Sequence, residues 1–179
     1  KSLTEMLKKD SSPCIFEAIC KIISQETKHA LPFLGVVVKG FIEAIEFNED
    51  NTCLFNELEL IILKCESHIV PYLDVLFNLL KKHMDNLNCL RIALVLSYQL
   101  NIDFISISSQ LYNIALQYFD STDINYFSTL VQFICFSIYF QHQSFDLFLQ
   151  VIESKILDFD TKRQNIILKG LAMIVQTYS

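Results

Sequence analysis

Any chemistry in this chain has to be built from four histidines, six cysteines, two acidic groups and one group of serines. His29 and His68 each stand three residues ahead of a proline, Pro32 and Pro71. Equivalent placement before a helix start points to packing of a turn rather than to metal ligation. His83 and His142 fall near expected helix ends, where an imidazole can meet the last carbonyls. There is no His-x-x-x-His and no His-Glu pair. Cys14, Cys20, Cys53, Cys65, Cys89 and Cys135 form no Cys-x-x-Cys pair and sit among apolar neighbours, so they read as small buried hydrophobes kept reduced. Glu43, Glu46, Glu49 and Asp50, and again Asp158 and Asp160, are groupings that could hold a cation or trade protons; at this spacing they read as solvated helix ends and loops. Ser106, Ser108 and Ser109 lack a basic partner at a nucleophile-activating spacing. The expectation is no catalytic residue, no cofactor-binding residue and no metal ligand.

Composition removes further classes. Glycine occurs only at 35, 40 and 170, so neither a dinucleotide-binding fingerprint nor a phosphate-binding P-loop can be written, and a kinase catalytic domain is excluded with them. With 52% hydrophobic and 19% charged residues in 179, the chain is not disordered. Its net charge is −6 and no Lys/Arg run exceeds two, too few cations to neutralise phosphates, so no nucleic-acid partner is expected. Anionic membrane surfaces are disfavoured for the same reason. Free thiols suit a reducing compartment, the cytoplasm or else the nucleus. Ile124 to Phe145 contains no Asp, Glu, Lys or Arg and is long enough to cross a bilayer. Asn125, Ser128, Thr129, Gln132, Ser137 and Gln141 recur along it as a polar stripe, which argues for a packed helix and no membrane span. Its Tyr126-Phe127 to Tyr139-Phe140 aromatics, without cations beside them, read as a helix–helix interface.

The elements that would position these residues are helical throughout. Between Pro71 and Asp85, Tyr72, Leu73, Leu76, Leu79, Leu80 and Met84 gather on one face and Asp74, Asn78, Lys81, Lys82 and Asp85 on the other. Ser12-Pro13 is an N-cap with proline at the first helical position, Pro32 and Pro71 can open helices likewise, and Asp123 can cap the helix after it. Helices are predicted at Pro13–Lys28, Thr52–Ser67, Leu87–Leu100, Ile124–Gln141 and Thr161–Tyr178, with partner helices ending at Glu46, Asp85, Asp120 and Asp160. His29-Ala-Leu-Pro-Phe-Leu34 recurs 39 residues later as His68-Ile-Val-Pro-Tyr-Leu73. A helix pair of about 40 residues repeated with weak identity is the mark of an α-α superhelix, a solenoid of HEAT or armadillo type; the alternative is a globular bundle of nine helices, against which the proline-marked period argues. The expected fold is all-α: one segment, 1–179, of about four antiparallel pairs at 13–46, 52–85, 87–120 and 124–160, with half-repeats at 2–9 and 161–178. A chain that opens at Lys1 in this way is expected to be a piece of a longer protein. HEAT-like metal hydroxylases carry paired His-Glu motifs, which are missing.

One passage goes beyond the repeat. Glu66-Ser67-His68-Ile69-Val70-Pro71-Tyr72-Leu73-Asp74 resembles the Ser-His-Ile-x-Pro-Tyr-apolar-Asp passage in the middle HEAT region of target-of-rapamycin (TOR) serine/threonine kinases. Upstream, Ser2-Leu3 to Lys9-Asp10-Ser11-Ser12 is similar to that family's basic–Asp–x–Ser turn, Ala18-Ile19 with Ile22 to its Ala-Ile-x-x-Ile helix, and Phe33-Leu34 and Phe41-Ile42 with Ile45 fall in matching register. The likeness runs from Leu3 to about Met84; Gly35 departs from it, standing where the family commonly has a second proline, and beyond Leu87 only the rhythm matches. The resemblance implies a non-catalytic scaffold segment of a TOR-like kinase. It would support dimerisation and docking of an adaptor subunit in nutrient and growth signalling, with flanking repeats of the parent chain as further partners. The other reading is a solenoid of the nuclear-transport-receptor or phosphatase-scaffold kind, with Glu43, Glu46, Glu57 and Glu59 contributing to an acidic inner groove.

Overall fold

The computed structural model describes residues 13–47, 52–100, 104–141 and 143–178. Among them every regular element is a helix. The chain divides into two compact units, residues 1–79 and 80–179.

In the first unit α1 (Pro13–Gln25) stops where Glu26 leaves the helical region, so the helix expected to reach Lys28 is broken and a short α2 (Thr27–Ala30) follows. A 3-10 turn, Leu31–Phe33, leads into α3 (Leu34–Phe47). After α4 (Thr52–Cys65), Glu66 takes a positive φ of 47°, a strained choice for a residue with a side chain, and ends that helix two residues before the expected Ser67. The 3-10 stretch Glu66–Tyr72 then leads into α5 (Leu73–Lys82). The two proline motifs therefore share one local solution. Each proline sits in a 3-10 lead-in, where one fewer N–H is needed, and the α-helix proper opens at the equivalent leucine, Leu34 or Leu73. This corrects the expectation that Pro32 and Pro71 are themselves the first helical residues. α1 and α3 pack on α4. Phe16 and Phe41 meet edge to face, with centroids 4.5 Å apart, in a core that also takes Ile19, Val38, Leu58 and Ile62. On α5, Leu73, Leu76 and Leu79 are buried while Asp74 and Asn78 are exposed, the face expected from its pattern.

In the second unit the helices are α6 (Leu87–Leu100), α7 (Ile105–Gln117), α8 (Ile124–Gln141), α9 (Phe145–Lys155) and α10 (Thr161–Tyr178). α6, α8 and α10 begin and end where the sequence places them. Their first residues, Leu87, Ile124 and Thr161, are 37 residues apart in each step. α8 lies at the centre, packed against α6, α7 and α10. The starts of the three are tied together: the Tyr126 hydroxyl donates to the Met84 carbonyl (2.7 Å), and 37 residues on the Arg163 guanidinium donates to the Ser121 carbonyl (3.4 Å). Each bond joins the third residue of one helix to the carbonyl three residues before the preceding one, so α6, α8 and α10 run parallel. Phe119, Phe127, Phe148 and Phe159 close the base of this unit, with ring centroids 5.2–5.7 Å apart. Each such ring stabilises the fold by about 1.5–3 kcal/mol through burial.

The central place of α8 explains its composition. Tyr126, Leu130, Phe133, Ile134 and Ile138 are buried, and so are Ser137 and Gln141. The polar stripe is thus wet only over its first half, where Asn125 and Gln132 are exposed. Among the described residues no helix is long and apolar enough to cross a membrane.

Candidate functional site

The side chains first considered for chemistry are dispersed. His29 is exposed and its Nδ1 lies 3.1 Å from Glu26 Oε2; His68 is exposed on the 3-10 lead-in. Neither packs a turn, which corrects that expectation: the turns are packed by Leu34, Ile69 and Leu73 instead. His83 is buried in the turn after α5, and its carbonyl accepts from the Asn86 N–H. His142 lies outside the described residues, as do Glu49 and Asp50. Glu43 and Glu46 are exposed on α3. The Ser108 hydroxyl is buried and donates to the Ile105 carbonyl (3.0 Å), occupying it within its own helix. Among the described residues no three His, Cys, Asp or Glu side chains come together as a metal site.

The cysteines divide. Cys20, Cys65, Cys89 and Cys135 are buried, and desolvation raises all four thiols, Cys89 and Cys135 to about 12. Such thiols stay protonated and unreactive. Cys14 and Cys53 are exposed, contrary to the reading of all six as buried. Each is the second residue of its helix, before the apolar stripe begins, so apolar neighbours in sequence did not mean apolar neighbours in space. Tyr112 and Tyr126 are also raised by burial; their hydroxyls donate to the Ser144 and Met84 carbonyls (2.6 and 2.7 Å) as structural ties.

The feature the sequence reading missed is a set of helix caps in register. Asn86 Oδ1 accepts from the Asn88 N–H (2.8 Å). Asp123 Oδ1 accepts from Asn125 and Tyr126 (2.8 and 3.2 Å), as expected. Asp160 Oδ1 accepts from the Arg163 N–H (2.9 Å). These three residues precede α6, α8 and α10 and recur every 37 residues, a signal present in the sequence as Asn/Asp ahead of each apolar run. Asp160, read as part of an acidic group, is a cap: the backbone N–H of Arg163, then its guanidinium, hold the carboxyl below the usual range. That guanidinium also lies 5.0 Å from the centre of the Phe159 ring.

The described residues also line concavities. One, of about 180 Å³, lies beside the end of α1 and is lined by Ile19, Ile22, Ile23, Glu26, His29, Ala30, Phe33 and Val37. Another, of about 330 Å³, runs between α8 and α10, with Ser128, Gln132 and Cys135 on one wall and Ile166, Lys169 and Met173 on the other. It is open to solvent where Gly170 lets the helices approach. A Cβ at 170 would stand 2.8 Å from both Cys135 Sγ and Val131 Cγ1. Neither groove gathers an acid, a base and a nucleophile. What they offer is apolar surface with a few polar side chains at its edge.

Gly35, the position that departs from the TOR pattern, faces Tyr72, which conforms to it: a Cβ at 35 would lie 2.9 Å from Tyr72 Cε1. Comparison with protein-family models, characterised proteins and solved structures finds no match, so the TOR likeness rests on the residues quoted for it.

Proposed function

We propose that this chain is a non-catalytic helical-repeat scaffold, a HEAT-like solenoid segment of a TOR-like serine/threonine kinase acting in the cytoplasm. In this reading it holds the parent's architecture, supports dimerisation and docks an adaptor subunit, and it binds no cofactor. The observation that carries the kinase assignment is the Ser67-to-Asp74 passage with its colinear upstream matches. The scaffold part draws separate support from the 37-residue recurrence of cap, helix start and backward tie in the second unit. Repeats that touch only their neighbours form a semi-rigid arc whose exposed ridges recognise partners. Recognition, not catalysis, is then the work of these residues.

Sequencing the transcript on both sides of this segment tests the assignment. A downstream kinase domain, with its Asp-Phe-Gly and the catalytic-loop Asp and Asn, is the expected result. A frame that ends after further helix pairs without one overturns it and puts the transport-receptor or phosphatase-scaffold reading first.

A further inference from the structure

α6, α8 and α10 start 37 residues apart, so their fourteenth residues, Leu100, Ser137 and Ile174, hold the same place in each helix. All three are buried, at 5%, 0% and 1% exposure. Two of them are large and apolar, as an enclosed position favours. The central helix has a serine there instead. One turn on, at the neighbouring place on the same helix face, stands Gln141, which is 2% exposed. Among the described residues neither the Ser137 hydroxyl nor either end of the Gln141 side-chain amide meets a protein donor or acceptor.

The link to α9 folds back onto this end of α8. The Gln143 N–H donates to the Ser137 carbonyl (3.1 Å) and the Gln143 side-chain amide to the Gln141 carbonyl (3.2 Å). The Tyr112 hydroxyl, from α7, fastens the same link through the Ser144 carbonyl (2.6 Å). These bonds engage main-chain carbonyls and do not reach the buried hydroxyl or the buried amide. Enclosed polar atoms without partners forfeit the hydrogen bonds they make to solvent in the unfolded chain. Folded proteins satisfy such groups, with ordered water where no protein group reaches. Water fits this pair chemically: it donates twice and accepts twice, the hydroxyl does both, and the amide has a donor at one end and an acceptor at the other. Serine is also smaller than the leucine and isoleucine at the equivalent places, which makes room for a molecule of that size. α8 carries no Asp, Glu, Lys or Arg, so a charged occupant would find no counter-charge on this helix.

We propose that Ser137 and Gln141 hold an ordered water molecule between them, a bound-solvent site built into the central helix. The water lets α8 end inside the protein with its polar side chains satisfied. The site depends on neither the scaffold reading nor the kinase assignment.

A crystal structure of the whole chain, at a resolution that shows ordered solvent, tests it. The expected result is a solvent peak within hydrogen-bond distance of both Ser137 Oγ and the Gln141 side-chain amide. A Gln141 amide bonded to protein groups, or a peak that touches only one of the two side chains, overturns the proposal. Urea unfolding of Ser137→Ala, Gln141→Met and the double variant is a second test that needs no crystal. Each substitution takes one partner from the same water, so the two are coupled. The rise in the unfolding constant of the double variant is expected to fall short of the product of the single rises by about threefold or more. Single effects that simply multiply would show that the side chains share nothing, and would overturn the proposal as well. Should a variant not fold, the solvent peak in the wild type decides alone.

Discussion

Asp160 is a cap whose charge acid can switch off. Its folded pKa lies below the ordinary carboxylate value of about 4 because the Arg163 N–H and guanidinium favour the anion. A depressed pKa stabilises the fold above the unfolded value, and that contribution is lost as pH falls through the lower folded value. Asp160→Asn keeps a cap acceptor that does not titrate. Its stability relative to wild type is therefore expected to improve between pH 7 and pH 3, as thermal melts at the two pH values would read; a constant difference would refute the assignment. Thiol chemistry offers a second check. Cys14 and Cys53 are expected to react with a disulfide reagent within the mixing time or shortly after, and Cys20, Cys65, Cys89 and Cys135 only after unfolding. More than two fast thiols in the native protein would contradict the burial.

At the scale of the element, helix contacts decide what a substitution costs. α10 approaches α8 where Gly170 faces Cys135 and Val131. Gly170→Leu is expected to destabilise the protein by about 1–3 kcal/mol through overpacking, despite the better helix propensity of leucine. Urea unfolding measures it, and a neutral result would mean that the helices part without loss. Asp123→Ala should cost about 0.5–2 kcal/mol by freeing the Asn125 and Tyr126 N–H groups. Pro71→Ala should stay within about 1 kcal/mol, since the residue is exposed in a 3-10 lead-in and acts mainly on unfolded-chain entropy.

For the molecule as a whole the division into residues 1–79 and 80–179 predicts two levels of cooperativity. Leu76 is fully buried in the first unit, and Leu76→Asp puts an unpaired charge there. Hydrogen exchange is expected to show protection lost in α1, α3 and α4 while α6, α8 and α10 keep theirs. Loss spread evenly over both would show that the chain unfolds as one unit, and no loss would show that Leu76 does not face the core.

How much of this was legible beforehand follows from the range of each signal. Helix class, the ends of α6, α8 and α10 and the buried face of α5 were readable, because caps and a 3.6-residue period act over one or two turns and depend only on near neighbours. Local signals misled where two of them competed: Glu26 and Glu66 break helices whose apolar pattern runs on past them. The exposure of Cys14 and Cys53, the burial of Ser137 and Gln141, and the contact of Gly35 with Tyr72 were not readable. Each depends on which helix lies against which. By itself the sequence determined that this chain is a set of amphipathic helices with a proline-marked recurrence. Only the tertiary structure decided that α8 is enclosed, that two backward ties join the starts of α6, α8 and α10, and that Gly170 is set against Cys135 and Val131. Those features come from contacts about 35 to 45 residues apart, where packing, and not local propensity, sets the free energy.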